Sequence, residues 1–172
     1  MSIAALFLIQ LVLGYVAWLL CFRAYIQPWL RSMDVFAAHR AIATLHSFRF
    51  FGLVFILPGV VGPSLPPGFA SFAAYGDFAT GVLALLALLT VSIRQLYWTF
   101  IVAFNVVGAG ELICDYGRAI QLGLPDKAGQ LGAAYAIVIV YVPLLMITHI
   151  AALYRLARPR RQASGAVAGA TA

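Results

Sequence analysis

Long apolar runs separated by short polar connections dominate the hydrophobic pattern of this chain. A helix needs about 20 consecutive, mostly apolar residues to cross the hydrocarbon core of a bilayer. The pattern therefore predicts an all-α fold, a bundle of five transmembrane helices whose ends are set by charged, aromatic or proline-rich connections. The predicted helices cover residues 3–22, 41–61, 72–93, 96–113 and 133–153.

The break between the third and fourth predicted helices depends on only two residues, Arg94 and Gln95, because no Gly or Pro marks a turn there. A single helix over residues 77–113 would be about 55 Å long at 1.5 Å per residue, well beyond a hydrocarbon core of about 30 Å. It would also hold Arg94 inside the membrane, at a cost of at least about 2.5 kcal/mol. Two helices are therefore predicted.

The composition supports a membrane protein, since 64% of the residues are hydrophobic and 9% are charged. Soluble domains carry roughly 25% charged residues, so a water-facing surface cannot be built from this chain. The net charge of +6 does not indicate nucleic-acid binding, because the basic residues lie at predicted helix ends. We predict one transmembrane domain over residues 1–157, and a disordered cytoplasmic tail over residues 158–172 that is basic and then rich in Ala and Gly.

The distribution of basic residues predicts the orientation. With the N-terminus outside and the C-terminus inside, nine of the eleven basic residues lie on the inner side, as the positive-inside rule requires. The predicted location is a bacterial-type inner membrane, and the predicted partner is the lipid bilayer, with a homo-oligomer or a larger membrane complex as a further possibility. The inner-side residues are Arg23, Arg31, Arg40, Arg49, Arg94, Arg155, Arg158, Arg160 and Arg161.

A first polar group is predicted in the inner half of the membrane. His46 and Arg49 are three residues apart and so share a helix face. His149 lies at a matching depth on the last, antiparallel helix, and Asn105 lies on the fourth. Ionisable side chains within a membrane usually face the bundle interior. We therefore expect the two imidazoles to meet there.

Three interpretations of this group stay open. In the first, His46 and His149 are neutral and hydrogen-bonded, while Arg49 extends to the inner surface. In the second, the group binds a lipid headgroup, a quinone-like molecule or an anionic solute. In the third, the two histidines are the axial ligands of a b-type haem, which is the only metal-binding interpretation. Phe48, Phe50 and Phe51 argue against haem, since we expect them to crowd His46.

A second polar group is predicted near the outer surface, formed by Asp77, Glu111 and Asp115. The simpler interpretation is that Asp77 caps the start of the third helix, while Glu111 and Asp115 form interfacial ion pairs with Arg118. Alternatively, the carboxylates form an entry site for a cation or a proton. A proton pathway would need a continuous polar line to the histidines, and Asn105 is the only stepping stone that the sequence suggests.

No catalytic signature accompanies these groups: H-E-x-x-H, G-x-S-x-G and C-x-x-C are all absent from the sequence. The sequence therefore predicts a non-enzymatic intramembrane binding or accessory component. The alternatives are a haem-binding electron-transfer protein and a small, oligomeric ion- or proton-coupled transporter.

Overall fold

A computed structural model of the protein describes residues 1–158, and the predicted tail from residue 159 onward lies outside the described residues. Residues 1–158 form helices and no strand, which confirms the all-α class. Two 3-10 helices, Ser47–Ile56 and Leu124–Ala134, join the main helices. The main helices are α1 (Ile3–Ser32), α2 (Val35–His46), α3 (Pro67–Leu89), α4 (Arg94–Gln121) and α5 (Ile137–Ala157).

Four of these helices, α1, α3, α4 and α5, are long and apolar enough to cross a membrane. The second predicted helix, residues 41–61, has a different form, because α2 ends at His46 and the chain continues as a 3-10 helix to Ile56. The five-helix count and its topology therefore stay predictions.

Three helix boundaries differ from the predicted ones. The first helix continues to Ser32 rather than ending at residue 22. Helix α3 begins at Pro67, so Asp77 lies inside it, and its interpretation as an N-terminal cap is wrong. Helix α4 continues to Gln121, so it extends beyond residue 113, where the predicted fourth helix ends.

The predicted break near Arg94 is confirmed. Helix α3 ends at Leu89 and α4 begins at Arg94. Thr90 follows the last residue of α3, and its hydroxyl donates a hydrogen bond to the carbonyl of Leu86 at 2.7 Å. The Leu86 carbonyl also accepts from the backbone N–H of Thr90, and the same hydroxyl lies 3.4 Å from the carbonyl of Ala87, which is among those that the helix end leaves without a backbone donor. The chain therefore turns between two helices without a glycine or a proline.

Proline residues explain two π-helical turns, Phe22–Ile26 in α1 and Ile137–Tyr141 in α5, which precede Pro28 and Pro143. Proline has no N–H, so the carbonyl four residues earlier loses its donor and the helix widens locally. In α5 that carbonyl belongs to Ile139.

Helix α1 packs against the π-helical turn of α5. A Cβ atom on Gly14 would lie 2.3 Å from the carbonyl oxygen of Ile139, so only glycine permits this approach. The indole N–H of Trp18 donates to the carbonyl of Val140 at 2.7 Å. The disturbed turn of α5 is therefore also the place where α1 is attached.

Two apolar clusters occupy opposite ends of the bundle. One joins the end of α1 to the starts of α2 and α4, where the Tyr97 hydroxyl donates to the Phe36 carbonyl at 2.9 Å. The other includes Phe7, Phe55 and Phe69 and packs beneath the second 3-10 helix. We call the first end the arginine end, after Arg23, Arg31, Arg94 and Arg155. Between the two clusters lies a layer of buried polar side chains.

Candidate functional site

Arg49 is the centre of the polar layer. The 3-10 helix that follows α2 turns this side chain inward, where it is fully buried, while Phe48 and Phe50 on either side are exposed. Its Nε donates to Oδ1 of Asp77 at 2.6 Å, and its Nη2 donates to the carboxylate of Glu111. Arg49 therefore does not extend to the inner surface, and that interpretation of the sequence is wrong.

The carboxylates around Arg49 come from two different helices, with Asp77 on α3 and Glu111 on α4. Asp115 follows Glu111 by one turn of α4. Within residues 1–158, Oε1 of Glu111 and Oδ1 of Asp115 are buried without a hydrogen-bond partner. The guanidinium of Arg49 is therefore in direct contact with two carboxylates, and a third carboxylate lies nearby. The site has more hydrogen-bond acceptors than donors.

The contact between Arg49 and His149 continues the network and defines a tautomer. Nη1 of Arg49 lies 3.2 Å from Nε2 of His149, which must accept because a guanidinium can only donate. Nδ1 of His149 therefore carries the proton and donates to Oδ1 of Asn105 at 3.0 Å. The amide nitrogen of Asn105 donates to the carbonyl of Ile101 at 2.8 Å, which orients the amide.

His46 adjoins this network through its imidazole ring. Its Nε2 lies 3.0 Å from the hydroxyl of Thr148, and that hydroxyl donates to the carbonyl of Leu144 at 2.9 Å. The hydroxyl therefore accepts from His46, so Nε2 carries the proton. Nδ1 of His46 is left as a buried lone pair without a partner in the described chain.

The structure brings both predicted polar groups into one continuous network. The centroids of the His46 and His149 rings are 4.0 Å apart, and Arg49 joins these histidines to the carboxylates. The sequence placed the two groups in opposite halves of the membrane and suggested only Asn105 between them. The link through Arg49 was not predicted.

The two imidazoles do not fit axial ligation of a haem in this arrangement. The iron and the macrocycle would have to lie between the coordinating nitrogens, but the rings of His46 and His149 are in contact with each other. The crowding predicted from Phe48, Phe50 and Phe51 is not the reason, because all three are exposed. The phenylalanine that contacts both imidazoles is Phe104. Among residues 1–158, no group of three or more His, Cys, Asp or Glu side chains is arranged to hold a metal ion.

Two glycines that the sequence analysis did not place in the site make room for the network. A Cβ on Gly108 would lie 2.5 Å from Nε2 of His149, and one on Gly52 would lie 2.2 Å from Oδ2 of Asp77. Each glycine is three residues from a charged residue of the site on its own helix, Gly52 from Arg49 and Gly108 from Glu111. That spacing places the glycine and the charged residue on one helix face, and it is the feature of the sequence from which the two glycines could have been assigned to the site.

A cavity of about 150 Å³ borders the carboxylates on the side away from the arginine end. Asp77, Asp115 and Tyr116 are among its lining residues, but the surface that it exposes is almost entirely apolar. The hydroxyls of Tyr116 and Tyr15 lie 2.7 Å apart and link α4 to α1. By volume the cavity would hold a few water molecules, and the carboxyl groups at its edge are the partners that such water would need.

Comparison with known proteins identifies a family. The model of the family described as "Domain of unknown function (DUF8737)" matches residues 6–157, so the chain belongs to this family. No curated protein and no solved structure matches the chain.

Proposed function

We propose that this member of the DUF8737 family is a multi-pass integral membrane protein with a non-enzymatic role, and that its Arg49 network is an intramembrane proton-binding site. The proposal includes five membrane passes, an external N-terminus, an internal C-terminus and a bacterial-type inner membrane. Four helices long and apolar enough to span a bilayer support it. The excess of arginine at one end of the bundle supports the orientation.

The contact of Arg49 with both Asp77 and Glu111 is the observation that carries the proposal. If all three groups were ionised, the cluster would hold a net negative charge away from water. An unbalanced charge in a medium of low dielectric constant is costly, and the group takes up a proton instead. One carboxyl of the cluster therefore holds a proton, and the site can exchange it.

The proton has a short route to the cluster. Asp115 and the small cavity lie between the carboxylates and the end of the bundle opposite the arginine end. The carboxyl groups of Glu111 and Asp115 lie within hydrogen-bonding reach of each other, and each has a buried oxygen that meets no donor, so the proton is shared between them. Uptake leaves one of the two as a neutral carboxylic acid, and release returns the proton to the cavity through Asp115, which lines it.

Proton-coupled transport by an oligomer is a second candidate function. The specific observation in its favour is the polar line that continues from Glu111 through Arg49 and His149 to His46, toward the arginine end. Arg49 does not give up its proton and no hydrogen bond joins the two imidazoles, so transport along this line requires a rearrangement in which Glu111 reaches His149 directly. In the accessory role, by contrast, the proton enters and leaves on the same side.

Infrared spectroscopy of the protein in lipid nanodiscs tests the proton-binding site. The wild-type chain should show the C=O stretch of a protonated carboxylic acid at neutral pH. Glu111→Gln and Asp77→Asn should each lose the intensity of one carboxylic acid, because the remaining carboxylate balances Arg49. Asp126→Asn, which removes an exposed carboxylate outside the network, is the matched control and should keep the band.

A band that is absent from the wild-type chain, or unchanged in both site variants, would refute the proton-binding proposal. Proton flux into liposomes that contain the chain distinguishes the two roles. Flux that is present in the wild-type chain and lost in Glu111→Gln supports transport, whereas a band without flux supports the accessory role.

A further inference from the structure

A second and much larger cavity, of about 1090 Å³, lies at the arginine end between α1 and α5. It shares no lining residue with the Arg49 network. Its inner wall is apolar and includes Leu19 and Phe22 from α1 and Ile147 and Ile150 from α5. Its mouth is basic and is formed by Arg23, Arg31, Arg155 and Arg158.

Within residues 1–158, none of the four arginines of the mouth forms an ion pair with an acidic side chain. None of the residues that line the cavity is Asp or Glu. The ion pairs found among residues 1–158 are both made by Arg49, so the four arginines of the mouth are not neutralised there. The sequence beyond residue 158 adds Arg160 and Arg161 and no Asp or Glu. Asp34 is the one acidic residue near this end, so at least three of the four positive charges remain for an anion from outside the chain.

Arg155 is partly buried in the lining of the cavity. Its Nε is enclosed and has no hydrogen-bond partner in the described chain, so a ligand in the cavity would meet the terminal nitrogens of this guanidinium. Arg158 is held differently, because its guanidinium lies over the ring of Tyr154 at 4.4 Å.

The π-helical turn of α1 lies in the wall of this cavity. The segment Phe22–Ile26 contributes Phe22, which is buried, and Arg23, which is exposed. Single π-helical turns occur frequently at functional sites, where they change the direction of side chains. Here the widened turn belongs to both the apolar wall and the basic mouth.

We propose that this cavity binds an anionic phospholipid, with the phosphate of its headgroup on the arginines and an acyl chain along the apolar wall. Basic pockets between transmembrane helices on the cytoplasmic side are suited to anionic headgroups. A soluble anion would make no use of the apolar wall, and a zwitterionic lipid would leave at least three positive charges uncompensated. This inference goes beyond the proton-binding site and uses none of its residues, so either can fail without the other.

Native mass spectrometry of the purified full chain in mild detergent tests the inference. The chain is titrated with phosphatidylglycerol and, separately, with phosphatidylcholine of the same acyl chains. We expect phosphatidylglycerol to bind at least tenfold more tightly. Each arginine near the membrane surface changes the affinity for an anionic lipid about fivefold. The affinity of the combined variant Arg23→Gln/Arg31→Gln/Arg155→Gln for phosphatidylglycerol should therefore fall about a hundredfold.

Two further variants keep the test specific. Arg94→Gln removes an exposed arginine at the same end of the bundle that does not line the cavity, and it should bind phosphatidylglycerol as the wild-type chain does. Ala151→Phe fills the apolar wall without changing the charge, and it should weaken phosphatidylglycerol binding about tenfold.

Three results would overturn the inference. The first is equal affinity for the two lipids, and the second is unchanged phosphatidylglycerol binding in the combined arginine variant. The third is displacement of the lipid by inorganic phosphate at equal concentration, which would indicate a site for a soluble anion.

Discussion

Nε of Arg49 lies 2.6 Å from Oδ1 of Asp77, and the two residues belong to helices that run side by side. The 3-10 helix that carries Arg49 packs closely on α3, where a Cβ on Gly81 would lie 2.8 Å from the backbone nitrogen of Phe50. Glu111 on α4 completes the arrangement. A single guanidinium therefore connects three helical segments in the middle of the bundle.

Replacing Arg49 with methionine should destabilise the protein strongly. The substitution keeps an apolar chain of similar length but leaves Asp77 and Glu111 close together without a cation. Removing one partner of a buried ion pair costs about 3–5 kcal/mol. The loss is measured from unfolding in detergent micelles with increasing sodium dodecyl sulfate.

Two variants serve as controls for Arg49→Met. Arg94→Gln removes an exposed arginine and should change the free energy of unfolding by less than about 0.5 kcal/mol. The triple variant Arg49→Met/Asp77→Asn/Glu111→Gln should recover a large part of the lost stability, because no unpaired charge remains. If the triple variant were less stable than Arg49→Met, the explanation by uncompensated charge would be wrong.

Two glycines of α4 should respond to alanine in opposite directions. A Cβ on Gly108 would lie 2.5 Å from Nε2 of His149, so Gly108→Ala should cost about 1–3 kcal/mol. A Cβ on Gly110 would meet nothing within 4 Å, so Gly110→Ala should stabilise α4 by up to about 1 kcal/mol. The two thermal midpoints in the same detergent measure the difference. Equal effects of the two substitutions would contradict the close packing described around Gly108.

The stability of the protein should fall in mild acid because of His39. This residue is fully buried at the start of α2, and burial, together with the charge of Arg155, lowers its pKa to about 4. The unfolded chain has a histidine pKa near 6.5 and binds the proton more readily. The stability that neutral His39 provides is therefore complete above about pH 6.5 and is lost as the pH falls toward 4.

The difference amounts to about 2 kcal/mol at pH 5. His39→Asn should show a shallower decline of the thermal midpoint between pH 7.5 and pH 4.5 than the wild-type chain. The other buried histidines are present in both proteins, so the difference between the two curves isolates His39. Parallel curves would show that His39 does not titrate in this range.

The topology is tested with single cysteines at opposite ends of α3. The two native cysteines, Cys21 and Cys114, are unpaired and are first replaced with serine. Ser64 and Ser92 are both exposed and lie before and after this helix. In intact cells an impermeant maleimide should label Ser64→Cys, and it should label Ser92→Cys only after permeabilisation. The reverse pattern would overturn the proposed orientation, and labelling of both would show that α3 does not cross the membrane.

The class of the protein and the break near Arg94 could be predicted from the sequence, because both follow from local physics. The fixed rise of a helix, compared with the thickness of a bilayer, limits the length of each apolar run. The cost of a charge in hydrocarbon makes Arg94 a helix end. Neither argument needs to know which helices are neighbours.

The residues of the candidate site could also be predicted from the sequence, since ionisable residues are few in this chain and each one inside an apolar run is conspicuous. The arrangement of these residues could not be predicted. Asp77 is ten residues after the start of α3 and Glu111 is ten residues before the end of α4, so each lies about 15 Å inside its helix. The predicted helices were shorter, and they placed both carboxylates near the outer surface.

The sequence by itself therefore determined that this chain is an all-α protein with helices suited to a membrane, and it indicated which polar side chains belong to the candidate site. Only the tertiary structure decided that Arg49 pairs with Asp77 and Glu111 and contacts His149. Composition and periodicity act along one helix, whereas these contacts depend on how far each helix extends and on which glycines let the helices approach. Both are properties of packing between segments that are distant in sequence.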